Sequence, residues 1–191
     1  MATVREGNRP VMIVVDVQAG VMKEAWEAQR VVRNVSRAVQ RARSEAVPVI
    51  WVQHSNQELP KGSSQRQWVP ELVPADGEAQ VHKKFNSSFK HTSADFELAS
   101  LSATHIVLAG AATNWCIRAT AYGALDRGYD LTLVKNAHTT ESIQLDNGLV
   151  MSAETVFQEL NIAMKWLEHP GLKNGTASAN DIEFAVPGGI K

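Results

Sequence analysis

The feature that most constrains this chain is a regular exchange between two kinds of apolar pattern. Short unbroken runs rich in β-branched residues alternate with longer segments whose apolar residues recur at helical spacing. Val11-Met-Ile-Val-Val15 is such a run, closed by Asp16, and it reads as a strand covered on both faces. After Gly20, the residues Ala28, Val31, Val32, Val35, Ala38, Val39 and Ala42 share one helical face, with Arg30, Arg33, Arg37 and Arg41 elsewhere. Val47 to Val52 reads as the second strand, and residues 54–78, broken by Pro60, Gly62, Pro70 and Pro74, as a long loop with one short helix. Gln80-Val-His82 is a weak strand. Thr92 is placed to cap a helix that runs through Leu101, with Asp95 in its first turn. His105 to Ala109 and Leu131 to Val134 read as further strands, and Asn114 to Arg127 as a helix stopped by Gly128. Ser152 opens a last helix with a stripe of Ala153, Val156, Phe157, Leu160, Ala163, Met164 and Leu167, stopped by Pro170 and Gly171. Strands alternating with helices imply parallel pairing with right-handed crossovers. The expected fold is therefore α/β, a three-layer, doubly wound (Rossmann-like) parallel sheet of five to six strands with helices on both faces. The whole chain, 1–191, reads as one domain with 170–191 as an extended C-terminal tail.

Composition narrows the function. Nineteen Lys and Arg balance twenty Asp and Glu, so the chain carries no electrostatic footprint for nucleic acid or an anionic membrane. No apolar run is long enough to cross a bilayer, and MATVREGNRP lacks the apolar segment of a signal peptide. The expected location is cytoplasmic. The single cysteine, Cys116, excludes an intramolecular disulfide, a Cys-rich zinc site and an iron–sulfur cluster.

In a doubly wound sheet, ligands bind beyond the carboxyl ends of the strands. Polar residues stand after three of the strands. Asp16 follows the first strand and reads either as a solvated turn aspartate or as a base. The residue two further on is Gln18 rather than a second aspartate, which argues against a phosphoryl-accepting nucleophile. Cys116 follows the tight turn Gly110 to Thr113 and falls in the first turn of the next helix. It reads as a small buried hydrophobe or as a nucleophile whose pKa the helix start holds below the ordinary value of about 8.5. The same turn offers amides to the oxyanion of acyl transfer. Lys83 and Lys84 follow the third strand as solvated charge, or as a cation shared by an aspartate and a thiol.

Asp16-Val-Gln18, the lysine stretch ending in Ser87-Ser-Phe89, Gly110-Ala-Ala-Thr-Asn-Trp-Cys116, and the run from Arg118 through Tyr129 into Asn136-Ala-His-Thr139 together resemble the isochorismatase-like cysteine hydrolases. The resemblance covers roughly residues 10–140. Among members of the family, the C-terminal part is most similar to metal-independent amidohydrolases such as streptothricin-hydrolase-like proteins. The resemblance implies a catalytic triad of Asp16, Lys83 and Cys116, with Lys83 preferred to Lys84 for its spacing from Phe89. It also implies an oxyanion hole from the amides of Ala112 and Cys116 beside a cis Ala111–Ala112 bond, and a homodimer or homotetramer. The expected activity is cleavage of a C–N bond in a small amide, carbamoyl or lactam substrate through a thioester.

Metal-dependent members carry an Asp-x-His pair after the second strand. Here that stretch is Val52-Gln-His-Ser-Asn56, so neither metal nor cofactor is expected, and His54 reads as a hydrogen-bonding pocket residue. Gln18, His54, Trp68, Phe85, Phe89 and Trp115 are the candidates for the substrate pocket, whereas Trp51 reads as core. Trp166 lies off its helix's apolar stripe, facing a partner subunit or the folded-back tail. Two other readings stand beside the amidohydrolase. One is a vinyl-ether hydrolase for an isochorismate-like diacid, with Lys61, Arg66 and Lys90 as its carboxylate-binding candidates. The other is a binding protein on the same fold without turnover.

Overall fold

The computed structural model describes residues 2–184, so the part of the expected tail at 185–191 lies outside the described residues. In chain order the elements are β1 (Pro10–Val15), α1 (Ala19–Met22), α2 (Ala28–Ser44), β2 (Val49–His54), a 3₁₀ turn (Ser64–Arg66), β3 (Ala79–Lys83), α3 (Ala94–Ser100) and β4 (His105–Ala111). A π-helical turn (Thr113–Ile117) leads into α4 (Arg118–Asp126), β5 (Asp130–Thr139), β6 (Ile143–Gln144), β7 (Val150–Met151), α5 (Ala153–Trp166) and β8 (Asn174–Ala177). Six strands pair in the order β3-β2-β1-β4-β5-β8, every neighbour parallel. The expected three-layer α/β sheet is the observed one.

Strand alternation builds the layers. Met12 and Val14 of β1 join Trp51, Val107 and the Val31, Val35 and Val39 stripe of α2 in one core. Val11, Ile13 and Val15 face the other side and pack with Leu98 of α3, Leu125 of α4, and Leu160 and Met164 of α5. The central strands are buried on both faces. This is why they read as continuous apolar runs.

Several local expectations shift. The helix expected from Thr92 starts at Ala94, where the Thr92 hydroxyl accepts the Ala94 N–H at 3.2 Å from outside the helix. The helix expected from Asn114 opens as a π turn and becomes α-helical only at Arg118. The expected stop at Gly128 holds, with φ of +85° just after the cap residue Arg127. Ser152 caps α5 through its hydroxyl, which accepts the Thr155 N–H at 3.1 Å, but the helix ends at Trp166, before Pro170 and Gly171.

The largest departure is at the C-terminus. Instead of trailing as a tail, residues 174–177 add β8 to β5 as an edge strand, and Ala179, Ile182 and Phe184 enter the α2-side core. Polar groups tie this segment down. Asn136 accepts the Ala179 N–H at 2.8 Å, and Arg41 donates to the carbonyl of Ile182 at 2.6 Å. A composition rich in Gly, Ser, Asn and Thr hides such a strand, because its affinity comes from main-chain pairing and three anchors.

Candidate active site

The carboxyl ends of β1, β2, β3 and β4 meet at one edge of the sheet. Val15 pairs with Val52 and with Gly110, and His54 pairs with Lys83. Gly110 is required there: its φ is +127°, and a Cβ would stand 2.0 Å from the Val15 carbonyl oxygen. Asp16, the next residue of the chain after β1, turns sharply with φ of +51°, in the left-handed region that aspartate tolerates better than most residues. Its N–H stays on β2, donating to Val52 O at 2.8 Å. Lys83 ends the edge strand β3; its flanking residues His82 and Lys84 are exposed while Lys83 is buried, as alternation requires. Cys116 sits in the π turn, 8% exposed.

These three side chains converge. Lys83 Nζ lies 2.6 Å from Asp16 Oδ2, 3.1 Å from Cys116 Sγ and 3.2 Å from His54 Nδ1. An ammonium has three protons, and these contacts use all three. Lys84 takes no part. The sequence-level choice between the two lysines thus has a geometric counterpart, set by the pleat.

Burial raises the Asp16 carboxyl against the lowering influence of Lys83. Burial, and then the Asp16 charge, push the Cys116 thiol up to about 12, with Lys83 only partly offsetting them. The sequence reading placed this thiol below its ordinary value, and that expectation is corrected. A helix start lowers a thiol's pKa, but burial and the neighbouring carboxyl group outweigh it here, and neither is visible in sequence. The resting site therefore holds a neutral thiol, with the Asp16 carboxyl 2.6 Å from the Lys83 amine beside it. His54 is held below its ordinary pKa, chiefly by burial and then by Lys83, so its neutral ring accepts from the ammonium.

Asp16, His54 and Cys116 offer donor atoms within 4.8 Å of one another, the spacing of a metal site. The Lys83 ammonium touches all three, however, and a metal ion would have to displace a cation already paired with Asp16. The donor set does not fit a metal while that lysine stays charged.

The cleft above the thiol has a volume of about 480 Å³. Asp16, Cys116, Ala112, His54 and Trp115 line it, together with Asn56, Asn86 and the glutamates Glu24, Glu58 and Glu141. The Ala111–Ala112 peptide is cis. The Ala112 carbonyl is held from below by the N–H groups of Trp115 and Ile117, both at 3.1 Å.

Other pocket candidates lie elsewhere. Gln18 is fully buried behind the site: its amide donates to the carbonyls of His54 and Arg66 at 3.1 Å each and accepts the His54 N–H at 2.8 Å. It is a brace for β2, not a wall of the cleft. Trp68 packs edge-on against Trp51 at 5.3 Å. Phe89 is 4% exposed in the core beneath α4, and Phe85 is 49% exposed and faces His91 outside the cleft. Lys61 and Arg66 line a different cavity, and Lys90 is exposed outside the cleft.

A buried network went unassigned in the sequence. Asn161 of α5 donates to the Lys135 carbonyl at 3.0 Å, which turns its Oδ1 toward His138 Nε2 at 3.1 Å. That oxygen only accepts, so Nε2 carries the ring proton and Nδ1 accepts from the Thr113 hydroxyl at 2.9 Å. Burial holds His138 neutral, with its pKa lowered to about 4. Helix α5 and strand β5 are thereby pinned to Thr113, the first residue of the π turn that carries Cys116. The polar residues ending β5, in Asn136-Ala-His-Thr139, were the available signal.

Residues 10–160 match the isochorismatase domain. The chain is 30% identical over 151 residues to the streptothricin hydrolase of Streptomyces noursei, an alignment covering 74% of this chain and 59% of that protein. The ureidoacrylate amidohydrolase of Methylobacterium radiotolerans is 25% identical over 189 residues, covering 76% of this chain and 73% of that one. Among solved structures, a cysteine hydrolase from Pseudomonas syringae pv. phaseolicola 1448A superposes with a TM-score of 0.82 at 20% identity, over 90% of this chain and 89% of the other. At that identity the superposition speaks for the fold.

Proposed function

Since the chain belongs to the isochorismatase family, we propose that it is a cysteine-dependent hydrolase that cleaves a C–N bond of a small amide, carbamoyl or lactam compound. The observation that carries this reading is the single ammonium, Lys83, in contact with both Asp16 and Cys116 at the floor of a cleft. Asp16 takes the thiol proton as Sγ adds to the substrate carbonyl carbon. The new oxyanion is received by the amides of Ala112 and Cys116. The intermediate collapses by breaking the C–N bond, and Asp16 delivers the same proton to the leaving nitrogen. Water then adds to the thioester with its proton passing to Asp16, and the proton returns to sulfur as the acid product leaves. Lys83 stays charged throughout and balances whichever of its two partners is anionic.

The lining of the cleft narrows the substrate. Glu24, Glu58 and Glu141 surround it, and no Lys or Arg is among its lining residues. A dianionic vinyl ether would meet like charge there, and its carboxylate-binding candidates Lys61, Arg66 and Lys90 lie elsewhere. A neutral or positively charged amide suits the cleft. The relatives named as streptothricin hydrolase and ureidoacrylate amidohydrolase support the amide reading. A panel of neutral, cationic and anionic amides is the test, with amine or ammonia release followed alongside intact-protein mass spectrometry. An acyl adduct on Cys116 and no turnover by Cys116→Ala are expected. Turnover retained in that variant refutes the thioester route.

A further inference from the structure

The far side of β3 carries a second cavity, of about 880 Å³. His82 and Lys84 flank Lys83 in the strand, and alternation turns them away from the triad. They line this cavity with Lys61, Arg66, Phe85, His91 and Lys83, whose ammonium is paired with Asp16, and no Asp or Glu is among its lining residues. It shares only Asn56 with the lining of the catalytic cleft.

Arg66 gives this surface its meaning. It is 9% exposed, and its guanidinium donates to Ser55 Oγ at 2.6 Å and to His82 Nδ1 at 3.1 Å. Both acceptors are neutral. Among the described residues no carboxylate pairs with Arg66. A largely buried cation without a counter-ion is unfavourable, yet this one is held firmly. The Arg66 carbonyl accepts from the buried amides of Gln18 and Gln53 at 3.1 and 2.7 Å, which fixes the main chain beneath the guanidinium. His82 is uncharged at neutral pH, because partial desolvation at the cavity wall and the charges of Arg66 and Lys61 lower its pKa. With Nδ1 accepting from Arg66, its Nε2 carries a proton free to donate. Phe85 stands edge-on to His91 at 5.6 Å and supplies an apolar wall.

We propose that this cavity is a binding site for a phosphate-type dianion, free or carried on a small organic molecule, with Arg66 as its fixed fork. Lys61 and Lys84 add charge, His82 adds a neutral donor, and the His91 ring adds an N–H. A planar five-donor fork suits phosphate geometry, and Arg66, Lys61 and Lys84, the lining cations left over once Lys83 pairs with Asp16, call for more than one negative charge. The proposal is independent of the chemistry at Cys116.

Inorganic phosphate titrated into the protein at constant ionic strength is the test, read by the ring proton resonances of His82 and His91 in NMR. Saturable shifts are expected, and phosphate should raise the His82 titration midpoint by about one pH unit, because the anion reverses the sign of its surroundings. Arg66→Gln keeps the main-chain contacts and should weaken binding by about tenfold or more. Should that variant not fold, the exposed double substitution Lys61→Ala and Lys84→Ala is expected to weaken binding as well. Phenyl phosphate binding more tightly than inorganic phosphate would identify a phosphomonoester as the ligand; equal affinities would identify the free ion. The absence of saturable shifts, shifts unchanged in the variants, or an equal response to acetate would each overturn the proposal.

Discussion

Replacing Asp16 by Asn separates two roles that act on Cys116 in opposite directions. In the proposed mechanism the carboxylate removes the thiol proton, but its charge also opposes the thiolate and helps hold the thiol up at about 12. Asp16 and Cys116 present their donor atoms within 4.8 Å. At an effective dielectric of about 20, a separation of that size corresponds to about 3.5 kcal/mol of repulsion, which is more than about two pH units. Asp16→Asn keeps the shape and removes the charge, and Lys83, left without its carboxylate, favours the thiolate further. The alkylation midpoint of Cys116 with iodoacetamide should therefore fall by more than about two pH units, while amide turnover falls by about 10²–10⁴-fold with the loss of the acid–base group. The two readouts move apart: a more acidic thiol and a slower enzyme. Alkylation and turnover are measured on the same preparations across pH. A midpoint that stays or rises, or turnover within tenfold of the parent, refutes the assignment of Asp16 as proton carrier.

Lys83→Met removes the cation from a buried pair whose side chains are 0% and 2% exposed; breaking such a pair typically costs about 3–5 kcal/mol, so the melting temperature should drop and the Cys116 alkylation midpoint should rise. Lys84→Met, at an exposed position, should change neither, and a raised midpoint in that variant would move the catalytic role to Lys84. Thr113→Val leaves His138 Nδ1 without its donor in a fully buried setting, at a cost of about 1–3 kcal/mol in urea unfolding; an unchanged midpoint would dissolve the proposed brace. Activity should survive treatment with EDTA, because Lys83 stands among the donor atoms of Asp16, His54 and Cys116, and a chelator-sensitive, metal-restored activity would contradict this. Light scattering should report a homodimer or homotetramer, with Trp166, 73% exposed on α5, a candidate for coverage; a monomer would refute it.

The architecture was legible because it rests on local pattern. Continuous apolar runs at β1, β2 and β4 signal strands buried on both faces, and the Val31, Val35 and Val39 stripe signals a helix lying on them. Asp16, Lys83 and Cys116 stood out because each ends or follows a strand, and strand ends of a parallel sheet share one edge. Local pattern was weakest where stability is bought by distant partners. Residues 174–177 have no apolar alternation, and only pairing with β5 and the anchors on Asn136 and Arg41 make them a strand.

The electrostatic state of the site was decided by tertiary structure alone. Sequence places Cys116 near a helix start, an influence that lowers a thiol's pKa, but it does not report that folding leaves the thiol 8% exposed beside a carboxylate. Desolvation and Coulomb repulsion act through space and grow as water is excluded. The same limit separated the aromatic residues: Trp115 lines the cleft, whereas Phe89 enters a core and Trp68 packs on Trp51. The residues that supply the chemistry are written in the order of the chain, but their charge, their protonation and their access to substrate depend on what the fold packs around them, and those neighbours come from strands and helices far apart in sequence.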